Sequence, residues 1–104
     1  MLRDKKIDTF VRNESQSNAL HIATKKRNIP AVKFLVNEAQ FPLDEIKSNG
    51  FTALSIASYR GYKKILEILT EGGADVNATS TLGVGPMFLA IKTQRIDIVE
   101  YLLN

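Results

Sequence analysis

The strongest constraint on this 104-residue sequence is an internal repeat with a period of 33 to 34 residues. The three copies begin at Asn18, Thr52 and Gly85, and each contains two apolar segments joined by a short turn. In the middle copy Gly61 separates the two segments and a glycine pair at 72–73 follows the second one. Self-similarity at such a period indicates a stack of similar small units, each packed on its neighbours.

Each copy is predicted to form a pair of short antiparallel helices. In the middle copy the Thr52 hydroxyl can cap the first helix, and Gly61 can adopt the left-handed conformation that ends it. The apolar residues between 65 and 69 share one broad face of the second helix. Because isolated helices of this length are marginal in water, each pair must lean on the next pair.

The repeat resembles the ankyrin repeat, whose pattern is Gly-x-Thr-Pro-Leu-His-x-Ala with a closing Gly-Ala-Asp-Val-Asn. The middle copy reads Gly-Phe-Thr-Ala-Leu-Ser-Ile-Ala over residues 50–57 and Gly-Ala-Asp-Val-Asn over residues 73–77. The outer copies match in the helices and less well in the turns. The resemblance implies an all-α solenoid of stacked antiparallel helix pairs with projecting β-turn or hairpin fingers.

The register of the copies divides the chain into one domain with four parts. We expect the tail of a preceding repeat and its finger, then two full repeats and a truncated third, at residues 1–17, 18–51, 52–84 and 85–104. Both ends are interpreted as cut, so we expect the sequence to be a segment of a longer array or of a larger protein.

The outer copies lack the glycine that ends the first helix of the middle copy. Arg27 and Asn28 stand where the middle copy has Gly61 and the next residue, so a residue with a side chain must take the left-handed position. Asn tolerates that conformation best, which favours Asn28. In the third copy Gln94 replaces Gly61, at an expected cost on the order of 1 kcal/mol.

The first full repeat is one residue longer than the second. Its segment Gln40-Phe41-Pro42-Leu43 replaces the Gly-Ala-Asp-Val segment and is predicted to contain the extra residue. We expect a local bulge there, with Phe41 and Leu43 packed inward. In the third repeat, Gly85 and Phe88 replace a Thr and a Ser, so a polar pair that can join neighbouring turns is lost.

Composition is ordinary for a soluble globular chain, with 44% hydrophobic and 24% charged residues. No apolar run is long enough for a membrane span, and the first residues lack the apolar core of a secretory signal. The absence of cysteine excludes disulfides and thiolate metal sites. We expect a cytoplasmic, intracellular location, with the nucleus as the alternative.

The net charge of +3 is unevenly distributed along the sequence. Residues 1–33 hold eight Lys or Arg against three Asp or Glu, whereas the remainder is slightly acidic. This asymmetry fits an acidic protein partner near the first repeat, and it also fits a solvated basic surface that binds nothing. Nucleic acid is not expected as a partner, because the charge is modest and the cations lack interleaved aromatic residues.

The sequence contains no catalytic constellation. Its one histidine, His21, is predicted to lie in the first helix, beside the predicted cap Asn18. The ankyrin resemblance implies that a histidine at this position joins a hydrogen-bond network between adjacent turns. No further ligands stand at coordinating spacing, so we expect neither a metal nor a cofactor, and we expect the protein not to be an enzyme.

Function is therefore expected on a surface. In proteins that resemble this one, partners dock on the concave face, at the finger tips and the exposed end of the first helix. The register implies a partner-binding set of Lys25, Lys26, Ser48, Asn49, Phe51, Tyr59, Arg60, Thr81, Leu82 and Lys92. The same positions in the three repeats also include Glu14, Ser15, Ser17, Val84 and Thr93.

Two subsets of these residues are informative. Phe51, Tyr59 and Arg60 are of types that dominate interface energetics, and they converge on the central repeat. The cations would form a basic column from repeat to repeat, at positions Lys25, Lys26, Arg60 and Lys92. The alternatives are that Tyr59 packs on the neighbouring helix and that the cations only keep the protein in solution.

These features predict a non-enzymatic protein–protein interaction module of the scaffold type. The alternative is a regulatory or substrate-recruiting ankyrin domain of a larger enzyme or membrane protein. At the end of the sequence Leu102 and Leu103 leave apolar surface without a following repeat, so we also expect weak self-association through the uncapped ends.

Overall fold

A computed structural model describes residue 13 and residues 17–80 and 83–103. These residues form three successive antiparallel helix pairs: α1 (Ala19–Lys25) with α2 (Ile29–Lys33), α3 (Ala53–Arg60) with α4 (Lys63–Glu71), and α5 (Pro86–Lys92) with α6 (Ile96–Leu103). Helix α2 continues into a π-helical turn, Phe34–Glu38. Over the described ranges there is no β-strand, so the predicted all-α fold is confirmed. None of these helices is long and apolar enough to cross a lipid bilayer.

The first helix of each pair begins at the predicted position. Thr52 Oγ1 accepts a hydrogen bond from the Ser55 N–H at 3.2 Å, and the two hydroxyl oxygens also lie 3.2 Å apart. Asn18 Oδ1 accepts from the His21 N–H at 2.9 Å, and Pro86 lies in the first turn of α5. These caps satisfy amides that have no partner within the helix, which fixes where each helix starts.

A left-handed residue separates the two helices of every pair. These residues are Arg27 (φ 58°), Gly61 (φ 77°) and Gln94 (φ 61°), so the expectation for Gln94 is confirmed. The preference for Asn28 in the first pair is wrong, because the Asn28 side chain instead caps α2 by accepting from a backbone N–H. Arg27 takes the strained position, and its guanidinium lies 5.3 Å from the centre of the Tyr62 ring.

The extra residue of the first full repeat lies in its second helix. The Ala39 N–H donates to the Phe34 carbonyl at 2.9 Å, five residues back, which is the bond of a π-turn. The left-handed residue Gln40 (φ 50°) is already in register with Gly73 (φ 103°), 33 residues away. The prediction that Gln40-Phe41-Pro42-Leu43 contains the extra residue is therefore wrong. The extra residue lies in the π-turn of the preceding helix.

Phe41 and Leu43 do pack inward, as predicted. Phe41 is 3% exposed, and the half-buried Leu43 contacts the core.

The core itself runs along the stack as a row of equivalent positions, one set from each pair. Its most deeply buried apolar side chains include Leu20, Val32, Leu54, Ile65, Leu66, Leu69 and Ile98. Each helix pair is covered only by the pairs next to it. The buried residues therefore form a continuous row along the stack and not one central cluster.

Each helix pair has two stacking faces, which the pattern of burial identifies. Ile22 of α1 is 39% exposed, whereas the equivalent Ile56 of α3 is 7% exposed because α1 covers it. On the opposite face Ile91 of α5 is 59% exposed, whereas the equivalent Ser58 of α3 is fully buried next to α5. The first pair and the third pair thus leave complementary faces open.

The fingers between pairs end in tight β-turns. The Gly50 N–H donates to the Lys47 carbonyl at 2.8 Å, and the Lys47 N–H donates to the Phe51 carbonyl at 3.0 Å. The next finger repeats the closing bond, from the Ser80 N–H to the Val84 carbonyl at 2.8 Å. The first of these turns places Lys47, Asn49 and Phe51 next to α1 and α3.

Candidate functional site

A cleft of about 200 Å³ lies between α1, α3 and the turn that precedes α3. We call it the α1–α3 cleft. Its lining combines side chains from two helix pairs and two fingers, namely Asn13, Ser17, His21, Ile22, Lys25, Lys47, Asn49, Phe51, Ile56, Tyr59 and Arg60. The stack thus brings together residues that are up to 47 positions apart in the sequence.

Half of the predicted partner-binding set lines this one cleft. The residues brought together are Lys25, Asn49, Phe51, Tyr59 and Arg60. Ser17, which the register added to the set, lies there too. Phe51, Tyr59 and Arg60, which were predicted to converge, therefore lie together in one cleft at the junction of the first two repeats.

The other predicted residues lie elsewhere. Lys26 borders a separate apolar depression on the open face of α1 and α2, Ser48 is exposed at the finger tip, and Lys92 is exposed at the end of α5. Four predicted residues lie outside the described residues: Glu14, Ser15, Thr81 and Leu82. In register Lys25 and Lys92 are equivalent to Tyr59, so the basic column stays a prediction.

Two aromatic rings form one wall of the cleft. Asn49 Oδ1 accepts from the Phe51 N–H at 2.9 Å and so fixes the turn that carries Phe51. The Phe51 and Tyr59 rings meet edge to face, with centroids 6.4 Å apart and planes at 64°. Tyr59 remains 48% exposed. It therefore packs on the turn that precedes α3 and still has about half of its surface exposed.

The third repeat holds the backbone of this wall. Arg95 Nη2 donates to the Tyr59 carbonyl at 3.3 Å, at the carbonyl-rich end of α3 where a cation is favourable. Its guanidinium lies over Gly61, where an added Cβ would be 2.8 Å from Arg95 Nε. Gly61 thus serves both the left-handed turn and the close approach of Arg95.

The charge of the described lining is entirely positive. The lining includes Lys25 of α1, Lys47 of the turn that precedes α3, and Arg60 at the end of α3. No Asp or Glu is among the described lining residues. None of the three cations forms a salt bridge with a carboxylate in the described part of the chain. Their charges are therefore available to a ligand at the mouth of the cleft.

His21 lies at the base of the cleft and has a structural role. Its ring is 2% exposed, with Nδ1 accepting from the Asn18 N–H at 3.0 Å and Nε2 donating to the Glu45 carbonyl at 2.8 Å. These two bonds assign the proton to Nε2 and join α1 to the following loop. The predicted network between adjacent turns is confirmed. Across the described ranges no three His, Cys, Asp or Glu side chains are placed to hold a metal ion.

Sequence reasoning missed three residues of the cleft, Asn13, Ile22 and Lys47. Lys47 begins the second finger, and it belonged to none of the positions that the family resemblance implies for partner binding. The repeat register did not indicate Ile22 as a surface residue, because its equivalent in the middle repeat, Ile56, is buried in the core. Asn13 of the first finger is the equivalent of Lys47 in register and also lines the cleft.

Comparison with known proteins supports this architecture. A family model described as "Ankyrin repeats (3 copies)" matches residues 1–80. Among curated relatives, the Caenorhabditis elegans ankyrin repeat and KH domain-containing protein mask-1 is 30% identical over 91 residues, which cover 88% of this chain and 3% of the relative. The inactive serine/threonine-protein kinase TEX14 of Bos taurus is 34% identical over 94 residues, which cover 90% of this chain and 6% of the relative.

A third relative is named as an enzyme. The palmitoyltransferase AKR1 of Mortierella alpina is 33% identical over 67 residues, which cover 64% of this chain and 12% of the relative. The chain thus spans only a small part of the length of the curated relatives it matches. The repeat period, the three stacked helix pairs and the matched family model together show that the chain belongs to the ankyrin-repeat family.

Proposed function

We propose that this chain is a non-enzymatic interaction module that binds a protein partner through its concave face and finger tips. Ankyrin repeats are protein-interaction modules, and ankyrin domains are generally non-catalytic. The observation that supports the proposal for this chain is the α1–α3 cleft, which gathers Lys25, Asn49, Phe51, Tyr59 and Arg60 from separate segments.

The residue types at the cleft suit a protein interface. Tyr and Arg are enriched among residues that carry most of the binding energy, because they combine large apolar area with directed hydrogen bonds. Tyr59 and Arg60 are both exposed, and the contact with Phe51 holds the Tyr59 ring in place. A preordered aromatic side chain loses little conformational entropy when a partner binds.

The charges favour an acidic protein as the partner. A basic surface attracts acidic proteins, and the modest net charge of +3 disfavours nucleic acid. We infer that Lys26 and Lys92 extend the surface as part of the predicted basic column, and that Ser48, Thr81 and Leu82 contribute from the finger tips. The proposed place of action is the cytoplasm, with the nucleus as the alternative.

A paired alanine variant tests this function. Tyr59→Ala combined with Arg60→Ala should weaken capture of the partner from a cell extract by about tenfold or more, because loss of two interface anchors costs roughly 1–2 kcal/mol or more. The matched control is Lys64→Ala with Glu71→Ala, two exposed positions on α4. Circular dichroism and thermal unfolding should be unchanged in both pairs. Equal capture by both pairs, or unfolding of the first, would contradict the proposed interface.

A second candidate function is a regulatory or substrate-recruiting ankyrin domain within a larger enzyme or membrane protein. The observation that favours it is the similarity to a relative named as a palmitoyltransferase, of which the matched segment covers only 12%. The sequence of the complete transcript separates the two candidates. A catalytic or membrane-spanning region would support the second, whereas further repeats alone would support a scaffold.

A further inference from the structure

We propose that the α1–α3 cleft binds a short acidic stretch of an extended peptide. One or more carboxylates of the peptide pair with Lys25, Lys47 and Arg60, while a neighbouring apolar side chain packs on Phe51 and Tyr59. This specificity rests on the function proposed above, and it names the chemistry of the partner segment and the place where it binds.

The distribution of charge selects the occupant. The three cations come from three different segments and surround a cleft whose described lining contains no carboxylate. Like charges in one concave region raise the local potential and attract anions. Because the cations are spread over the lining, several single charges along a peptide match them better than one compact dianion does. Arg60 can also hold a carboxylate through two parallel hydrogen bonds.

The apolar part of the cleft explains why the peptide needs more than charge. Phe51 and Tyr59 form an edge-to-face pair along one wall, and Ile22 and Ile56 also line the cleft. Exposed ion pairs contribute little because water and salt screen them. An apolar side chain beside the carboxylate therefore supplies burial that a polyanion alone would lack.

The size of the cleft favours peptide side chains over a small-molecule ligand. Its volume of about 200 Å³ falls below the roughly 300–1,000 Å³ typical of small-molecule sites. One or two side chains fill such a space, and the rest of an extended peptide can run across the finger turns. Its position between two repeats also gives the peptide contacts with both.

Selection from a phage-displayed library of random dodecapeptides tests the proposal, with the purified protein as bait. We expect the enriched clones to share Asp or Glu next to Phe, Tyr, Leu, Ile or Val. A synthetic peptide of the most enriched sequence, labelled with fluorescein, is then titrated by fluorescence anisotropy. Raising the salt from about 0.05 M to 0.3 M should weaken its binding by about threefold or more, because screening acts on exposed charges.

Lys47→Glu is the decisive variant, because it reverses one charge in the cleft. It should weaken the selected peptide about tenfold or more, and replacing one Glu of the peptide by Lys should restore part of the loss. Lys64→Glu, the same change on the exposed surface of α4, is the matched control and should alter binding by less than about twofold. Unchanged circular dichroism of both variants separates binding from folding.

Three results would overturn the inference. Enriched peptides without carboxylates would contradict the acidic specificity, and a selected peptide that binds Lys47→Glu as tightly as the native protein would contradict the site. A library that yields no binder would also reject it. If a captured protein still depends on Tyr59 and Arg60 in any of these cases, the function proposed above stands and only the peptide specificity fails.

Discussion

Two of the three interhelical turns hold a residue with a side chain in the left-handed conformation. Arg27 and Gln94 occupy the position that Gly61 takes in the middle pair. The conformation costs roughly 1–2 kcal/mol for such a residue. At Arg27 the contact of the guanidinium with the Tyr62 ring offsets part of this cost. Gln94 is exposed, and its side chain makes no described contact of that kind.

Gln94→Gly should therefore stabilise the protein. We expect the free energy of unfolding to rise by about 0.5–1 kcal/mol, because relief of the strain exceeds the extra entropy that glycine gives the unfolded chain. Urea denaturation monitored by circular dichroism measures the change. Gln94→Ala is the matched control, since it keeps the Cβ that causes the strain. A gain of the same size in the alanine variant would contradict this explanation.

At the level of single residues, the sequence predicted the caps better than the turns. The predicted caps at Thr52 and Asn18 are confirmed. They were predictable because each cap depends only on a neighbour three residues away. The choice between Arg27 and Asn28 was wrong because two local preferences compete, and the side chain of Asn28 caps the next helix. The position of Lys47 in the cleft was missed because it depends on the stacking of two repeats.

Among the helices, the second helix of the first pair is distinctive. Its π-turn at Phe34–Glu38 takes up one additional residue and keeps buried residues on both sides in place. Leu35 and Phe41 are 7% and 3% exposed, and the Phe41 N–H donates to the Leu35 carbonyl at 2.9 Å. The length difference was visible in the sequence. Its location was not, because a loop and a helix can each absorb one residue without exposing the core.

Deletion of Asn37, an exposed residue within the π-turn, should be tolerated. The turn can close to a regular α-helix, so we expect a loss of less than about 2 kcal/mol in the free energy of unfolding. Deletion of Glu67 in α4 is the matched comparison. It rotates the residues beyond it by about 100°, removes Ile68 and Leu69 from the core, and should unfold the protein. Circular dichroism and urea denaturation distinguish the two. Similar losses would contradict the role of the π-turn.

Over the whole molecule, the two ends of the stack expose complementary apolar faces. At one end Ile22 and Phe34 are 39% and 51% exposed. At the other end Ile91, Ile96 and Leu103 are 59%, 64% and 72% exposed. The equivalent faces pack together between neighbouring repeats inside the molecule, so we expect a second copy to stack head to tail. Such a heterologous contact does not close on itself, which favours weak, concentration-dependent chains over a defined dimer.

Ile91→Asp should abolish this self-association. A charge placed in the apolar contact is costly to bury without a partner, so the variant should sediment as a monomer at every concentration. The native protein should show a weight-average sedimentation coefficient that rises with concentration. Lys92→Asp, a change at the neighbouring exposed residue, is the control and should behave more like the native protein. A native protein that stays monomeric at high concentration would rule out the stacking.

The architecture was predictable because it follows from one repeated pattern. Three copies at a period of 33 to 34 residues can each bury an apolar face only against the next copy, and the helix pairs confirm this. The cleft was predictable only in part. Its residues belong to the right repeats, yet which side chains meet there depends on how α1, α3 and a finger are placed relative to one another.

The hydrogen bond from Arg95 to the Tyr59 carbonyl links the cleft to a repeat that contributes nothing to its lining. When α5 and α6 fray, this anchor is released and the end of α3 loses its cation. A peptide that requires Tyr59 in its native position must then bind less tightly. By thermodynamic reciprocity, we expect the same peptide to slow hydrogen exchange of amides in the third repeat. Hydrogen exchange in the third repeat would thus report whether the cleft is occupied.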